Sequence, residues 1–160
     1  MGKIRIAGLV SDSIVDGPGI RYAIFTQGCA HGCPGCHNPQ THDFEGGTDV
    51  DIDKIVENVS KNPLLCGVTL TGGDPFYQVD ASYELAYKMK AIGMHVIAFT
   101  GFTFEELMKM KEDSPNLERL LHTIDVLVDG PYVEAERDLS LHFRGSTNQR
   151  IIDMPNTLQK

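Results

Sequence analysis

The chain has 160 residues, 41% of them hydrophobic, which suits one domain with one core, residues 1–160. Asp and Glu outnumber Lys and Arg by 22 to 14, and the net charge of −8 argues against general binding to a nucleic-acid phosphate backbone. No apolar run approaches the roughly 20 residues of a membrane span, and Met1 to Ile6 lacks the core of a secretory signal, so the expectation is a cytoplasmic chain with no membrane partner.

Residues 4–10 alternate weakly and predict an edge strand. Gly17-Pro18-Gly19 predicts a loop, with Asp16 and Pro18 as turn residues and Arg21 as a surface charge. Arg21 to Thr26 is rich in strand formers and runs directly into a cysteine-bearing stretch. Residues 39–50 are polar and predict a loop. Ile52, Ile55, Val56 and Val59 recur at helical spacing, with Asp49 or Asp51 as cap and Asn62-Pro63 as terminator. Gly67 to Thr71 predicts a short strand that stops at Gly72-Gly73-Asp74-Pro75. Ala81, Leu85, Met89 and Ile92 predict a second helix, capped by Asp80 and stopped by Gly93. Met94 to Phe99 is a continuous apolar run, as in a buried parallel strand, with His95 as a satisfied core histidine. Thr103 and Glu106 match a capping box for a third helix. Pro115 to His122 predicts a further helical stretch, Ile124 to Val128 a strand closing at Asp129-Gly130-Pro131, and the tail near Ile151 a last strand.

Alternating strands and helices predict an α/β fold with a mostly parallel sheet. A full eightfold barrel takes about 250 residues; about four to five strands predict an incomplete, open (β/α) barrel. Its strand ends would bring the cysteine stretch, Gly72-Gly73-Asp74, Thr100-Gly101-Phe102 and Asp129-Gly130 to one face.

Cys29, Cys33 and Cys36 stand at C-x3-C-x2-C spacing, three thiols within eight residues. They are too close for a secreted disulfide framework, and clustered thiols elsewhere bind metal or do redox work. Thiolates are soft ligands for zinc or for iron–sulfur clusters. His31 and His37 would complete a zinc site, although His37 adjoins Cys36 and needs a contorted backbone to reach the same ion. Three thiolates on a four-iron cluster leave one iron without a protein ligand, an open position of the kind catalysis uses. Cys66 lies 30 residues further on and reads as a small buried apolar residue. Phe44, Phe76, Tyr77 and Phe102 are candidates for a partner-binding patch, with core burial the expected fate of most of them.

The C-x3-C-x2-C spacing with a downstream Gly-Gly-Asp resembles the radical S-adenosylmethionine superfamily. Val15-Asp16-Gly17-Pro18-Gly19-Ile20-Arg21, Gln27-Gly28-Cys29 and Cys36-His37-Asn38-Pro39 are similar to glycyl-radical-enzyme activases. Asp125 to Tyr132 and Arg144-Gly145-Ser146-Thr147-Asn148-Gln149 resemble the branch that activates anaerobic ribonucleoside-triphosphate reductase. The likeness runs from about Arg5 to Ile152. It implies a barrel of radical SAM type and a [4Fe-4S] cluster held by Cys29, Cys33 and Cys36. S-adenosyl-L-methionine would chelate the fourth iron and be cleaved reductively, and a glycyl radical would form on the large reductase subunit. The resemblance also implies that Gly72, Gly73 and Asp74 hold the methionine amino group and that Gly35, Cys36 and His37 lie near the adenine. Thr100 and Asp129 would help bind a cation beside the cofactor carboxylate. Arg144 and Asn148 would touch cofactor or partner, and reduced flavodoxin or a similar donor would supply the electron. Many superfamily members carry an aromatic residue just before the last cysteine, where this chain has Gly35. The alternatives are an activase of another glycyl radical enzyme, such as pyruvate formate-lyase, and a small zinc-binding or electron-transfer protein.

Overall fold

The structure is a computed structural model that describes residues 2–13, 19–28, 47–130 and 150–155. Its strands are β1 Lys3–Ser13, β2 Arg21–Thr26, β3 Thr48–Asp51, β4 Gly67–Gly72, β5 His95–Phe99, β6 Val126–Asp129 and β7 Arg150–Asp153. Its helices are α1 Ile52–Ser60, α2 Val79–Ala91, α3 Phe104–Met110 and α4 Pro115–Thr123. The strands form one sheet in the order β3-β1-β2-β4-β5-β6-β7. Parallel pairing joins β2, β4, β5 and β6, with Tyr22 beside Val68 and Val68 beside Val96. β1 runs antiparallel to both β2 and β3, and β7 runs antiparallel to β6. Among the described residues the sheet does not close, and β3 and β7 are its edges.

The α/β class and the open, mostly parallel sheet follow the sequence expectation, but the described residues alone supply seven strands rather than four or five. The polar stretch before α1 holds a strand, β3, in which no residue is buried. Its Thr-Asp-Val-Asp sequence carries little local strand signal; pairing with Lys3 to Ile6 makes it a strand. The same pairing moves β1 inward, so the residue 4–10 strand is not an edge.

Period-two alternation puts Tyr22, Ile24, Val68, Leu70, Val96 and Leu127 on one sheet face, where they pack with Ile55 of α1, Leu85 and Met89 of α2, and Leu120 of α4. The intervening Arg21, Ala23, Thr69 and Ile97 are buried as well, which is why the central strands read as unbroken runs. Asp51 caps α1 by accepting from the Asp53 N–H at 2.9 Å. Thr103 and Glu106 form the expected capping box of α3. Asp80 does not cap α2: it lies in the first turn and accepts from Asn116 Nδ2 at 2.7 Å. A short 3-10 turn over Pro75–Tyr77 feeds the chain into α2 earlier, so Gln78 takes the cap position. No helix among the described residues is long and apolar enough to cross a membrane.

Candidate cluster and cofactor site at the strand ends

Because β2, β4, β5 and β6 are parallel, their carboxyl ends deliver Gln27-Gly28, Gly72-Gly73-Asp74, Thr100-Gly101 and Asp129-Gly130 to one rim. Gly28 directly precedes Cys29. Cys29, Cys33, Gly35, Cys36, His37, Arg144 and Asn148 lie outside the described residues, as do Asp16, Pro18 and Phe44.

Backbone hydrogen bonds stitch the rim together. The Gly73 N–H donates to the Thr26 carbonyl at 2.8 Å and the Asp74 N–H to the Gly28 carbonyl at 3.0 Å. Gly72 has φ +97, and a Cβ there would stand 2.5 Å from the Thr26 nitrogen, so the approach of β4 to β2 requires glycine. The Asp74 side chain is fully buried. Its Oδ1 accepts from the Phe76 N–H at 2.9 Å, and its Oδ2 accepts from Thr100 Oγ1 and the Gly101 N–H, both at 2.8 Å. The carboxylate therefore braces the ends of β4 and β5. Gly72 and Gly73 remain partly exposed.

Thr100 and Asp129 reach the same rim and are both buried. Thr100 is engaged with Asp74 and accepts from the Phe102 N–H at 3.1 Å. Asp129 accepts from the Phe104 N–H at 2.7 Å and from Arg150 Nε at 3.0 Å, and it forms a second, closer contact with the Arg150 guanidinium. Arg150 also bonds both carboxylate oxygens of Glu105 at 2.9 Å. These bonds, first to Asp129 and then to Glu105, push the Arg150 pKa above its ordinary value. The arrangement ties β6, β7 and the start of α3 together. Of the aromatic candidates, Phe76 is buried, whereas Tyr77 and Phe102 form a tilted pair at the rim with centroids 5.3 Å apart.

Two sequence readings are corrected at the opposite rim. Arg21 is not a surface charge but is buried. Its Nε donates to Thr69 Oγ1 at 2.9 Å, and one terminal nitrogen reaches the carbonyls of Val68 at 2.9 Å and His95 at 2.8 Å. The same nitrogen lies 3.1 Å from His95 Nδ1. A charged group at the start of a strand looks solvated in sequence; here the neighbouring strands supply its acceptors. Desolvation lowers its pKa to about 10. Cys66 is not buried but is an exposed free thiol, because Leu65 takes the core position beside it. Its N–H bonds the Ile20 carbonyl at 2.8 Å, at the amino end of β4. At about 3.3 Å per residue, the six steps from Cys66 along β4 put it roughly 20 Å from Gly72. Among the described residues no three His, Cys, Asp or Glu side chains come together as a metal site.

Gln78 and Gln27 carry structure at the rim that the sequence did not signal. Gln78 Oε1 accepts from the Arg5 N–H at 2.9 Å, and its Nε2 donates to the Arg5 carbonyl at 2.8 Å and the Gln27 carbonyl at 3.1 Å. The available hint is a glutamine at a helix start, where Ser, Thr, Asp or Asn is preferred. Gln27 is buried, and a Cβ on Gly47 would stand 2.8 Å from Gln27 Cβ. The chain thus leaves at Gly28 and returns at Gly47 side by side.

A family model described as a 4Fe-4S single cluster domain matches residues 15–152. The chain is similar to the anaerobic ribonucleoside-triphosphate reductase-activating protein of Vibrio cholerae, at 36% identity over 86% of this chain and 90% of that protein. It is similar to the protein of the same name from Escherichia coli, at 35% identity over 85% of this chain and 90% of that one. It is also similar to the pyruvate formate-lyase-activating enzyme of Listeria monocytogenes, at 33% identity over 97% of this chain and 63% of that enzyme.

Proposed function

The chain belongs to the family of anaerobic ribonucleoside-triphosphate reductase-activating proteins, and on that premise we propose that it generates a glycyl radical on the large reductase subunit, using S-adenosylmethionine and a [4Fe-4S] cluster. The observation that carries this reading is the 3.0 Å bond from the Asp74 N–H to the Gly28 carbonyl. It roots the three-thiol segment at the Gly-Gly-Asp strand end, so cluster ligands and cofactor loop start from one point.

The donor set fits the cluster. Cys29, Cys33 and Cys36 offer three soft thiolates, and the fourth thiol, Cys66, sits at the opposite rim. One iron is then left for the amino and carboxylate groups of the cofactor. When bound, cluster and cofactor supply one-electron reductive cleavage and hydrogen abstraction; the chain supplies position and exclusion of water. Gly72 and Gly73, partly exposed, offer backbone to the methionine amino group. Asp74 holds that backbone still through Thr100 and Gly101. By the resemblance, Gly35, Cys36 and His37 would line the adenine, and Arg144 and Asn148 would contact cofactor or reductase. A cation held by Thr100 and Asp129 would require Arg150 to yield an oxygen of Asp129.

The open sheet leaves a side through which a glycine-bearing loop of the reductase reaches the rim, beside Tyr77 and Phe102. All described strands share one sheet, which supports a single domain over residues 1–160. Reduced flavodoxin or a similar protein in the cytoplasm is the proposed electron donor. The Listeria relative favours a second reading, activation of pyruvate formate-lyase, but this chain spans 63% of that enzyme against 90% of the Vibrio protein.

The test is electron paramagnetic resonance after the reconstituted, reduced protein is mixed with S-adenosylmethionine and each partner. A glycyl doublet on anaerobic ribonucleotide reductase is expected. A doublet on pyruvate formate-lyase alone would move the chain to the second reading, and one bound zinc without cofactor cleavage would reject both.

A further inference from the structure

We propose that Gln78 is a positioning residue for the cysteine segment, holding its root in register from the start of α2. This deepens the activase reading and rests on it for the metal, though not for the backbone geometry. Gln78 occupies the cap position of α2, yet its side chain makes no cap hydrogen bond. A residue that forgoes the local role of its position is engaged elsewhere. Here the engagement is with β1 and with the chain leaving β2.

Thr26, the last residue of β2, pairs with Ile6. One step further on, the Gln27 N–H still reaches the Arg5 carbonyl, and the Gln78 amide inserts beside this contact between β1 and the chain leaving β2. It accepts from the Arg5 N–H at 2.9 Å and donates to the Arg5 carbonyl at 2.8 Å, as the peptide of a neighbouring strand does. From the same nitrogen it donates to the Gln27 carbonyl at 3.1 Å. The Gln27 N–H closes the group with a bond to the Arg5 carbonyl at 3.1 Å. Gln78 thus bridges the Arg5 and Gln27 peptides, and it fixes the peptide two residues before the first thiol. Gly47 packs against the same Gln27, so the brace serves both the exit and the return of the segment.

Two variants separate this role from a general contribution to folding. Gln78→Asp cannot span to Arg5 and Gln27 but is a better helix cap. Gln78→Glu keeps the length and the acceptor for the Arg5 N–H but loses the donor to the Arg5 and Gln27 carbonyls. In apoprotein, hydrogen exchange should be about tenfold faster in Gln78→Asp at the Arg5 amide, which bonds Gln78 directly, and at the Gln27 amide, whose acceptor, the Arg5 carbonyl, Gln78 steadies, with Val68 and Val96 unchanged; Gln78→Glu, which sets an oxygen against the Arg5 and Gln27 carbonyls, should speed exchange at Gln27 but not at Arg5. In reconstituted protein, both variants should release iron to a chelator several-fold faster than the parent at unchanged melting temperature. Unchanged exchange at Gln27, or iron release that only follows melting temperature, overturns the proposal. If the parent binds zinc instead of iron, the activase reading fails while the exchange result still decides the role of Gln78.

Discussion

Asp74 Oδ2 and Thr100 Oγ1 lie 2.8 Å apart across the carboxyl ends of β4 and β5, and both side chains are buried. The acidic residue after the double glycine is therefore an internal acceptor for three donors, and the rim depends on it. Asp74→Asn turns an NH2 toward donors on at least one side. It should cost about 1–3 kcal/mol, and Thr100→Val about 1 kcal/mol, in urea unfolding. S-adenosylmethionine affinity should fall in the same order in equilibrium dialysis. Unchanged stability in Asp74→Asn would show that the carboxylate is not the brace described.

Gly72→Ala meets the β2 backbone at positive φ, with the new Cβ 2.5 Å from the Thr26 nitrogen. Backbone cannot move aside as a flexible side chain can. A loss above about 3 kcal/mol is expected, seen as failure to accumulate folded protein or as a strongly lowered denaturant midpoint.

His95 Nδ1 faces the Arg21 guanidinium, which is charged at neutral pH, so the folded chain favours the neutral imidazole. Burial first, and Arg21 second, hold its pKa below the ordinary 6.5. The unfolded chain then binds more protons than the folded one between the two values. The contribution to stability is present above pH 6.5 and is lost as pH falls through the folded-state value. Denaturant unfolding between pH 8 and pH 5 should show this decline, and His95→Gln should flatten it. A parallel decline in the variant would assign the effect to other groups.

Arg150→Met leaves the Asp129 carboxylate buried without its guanidinium. Because Arg150 itself is half-exposed, the cost should be about 2 kcal/mol, below that of a fully buried pair. Adding Asp129→Asn should recover part of that loss, giving a non-additive double-mutant cycle in thermal unfolding. Strict additivity would deny the pairing.

Alanine at Cys29, Cys33 or Cys36 should abolish cluster assembly and cofactor cleavage. Cys66→Ala should retain about four irons per chain by colorimetric assay, since its thiol is at the far rim. Loss of iron in Cys66→Ala would require a different ligand set.

The central strands and the helices were legible because their signals are local. Ile52, Ile55 and Val59 mark the buried side of α1 by spacing alone, and Thr103 with Glu106 states the start of α3 within four residues. The thiol spacing likewise indicates metal or redox chemistry without any fold. Hidden features all depend on partners far along the chain. β3 is a strand only because Lys3 to Ile6 pair with it. Arg21 is buried because Thr69 meets it 48 residues later, and Asp74 is a brace because Thr100 meets it after 26. Gln78 reads as an ordinary helix-start residue until Arg5, 73 residues earlier, is placed beside it. By itself the sequence determined the element types, the class of metal ligand and the family, since residue type and spacing suffice for these. Only the tertiary structure decided which polar side chains hold the rim, because a buried polar group finds its role in the partner that satisfies it.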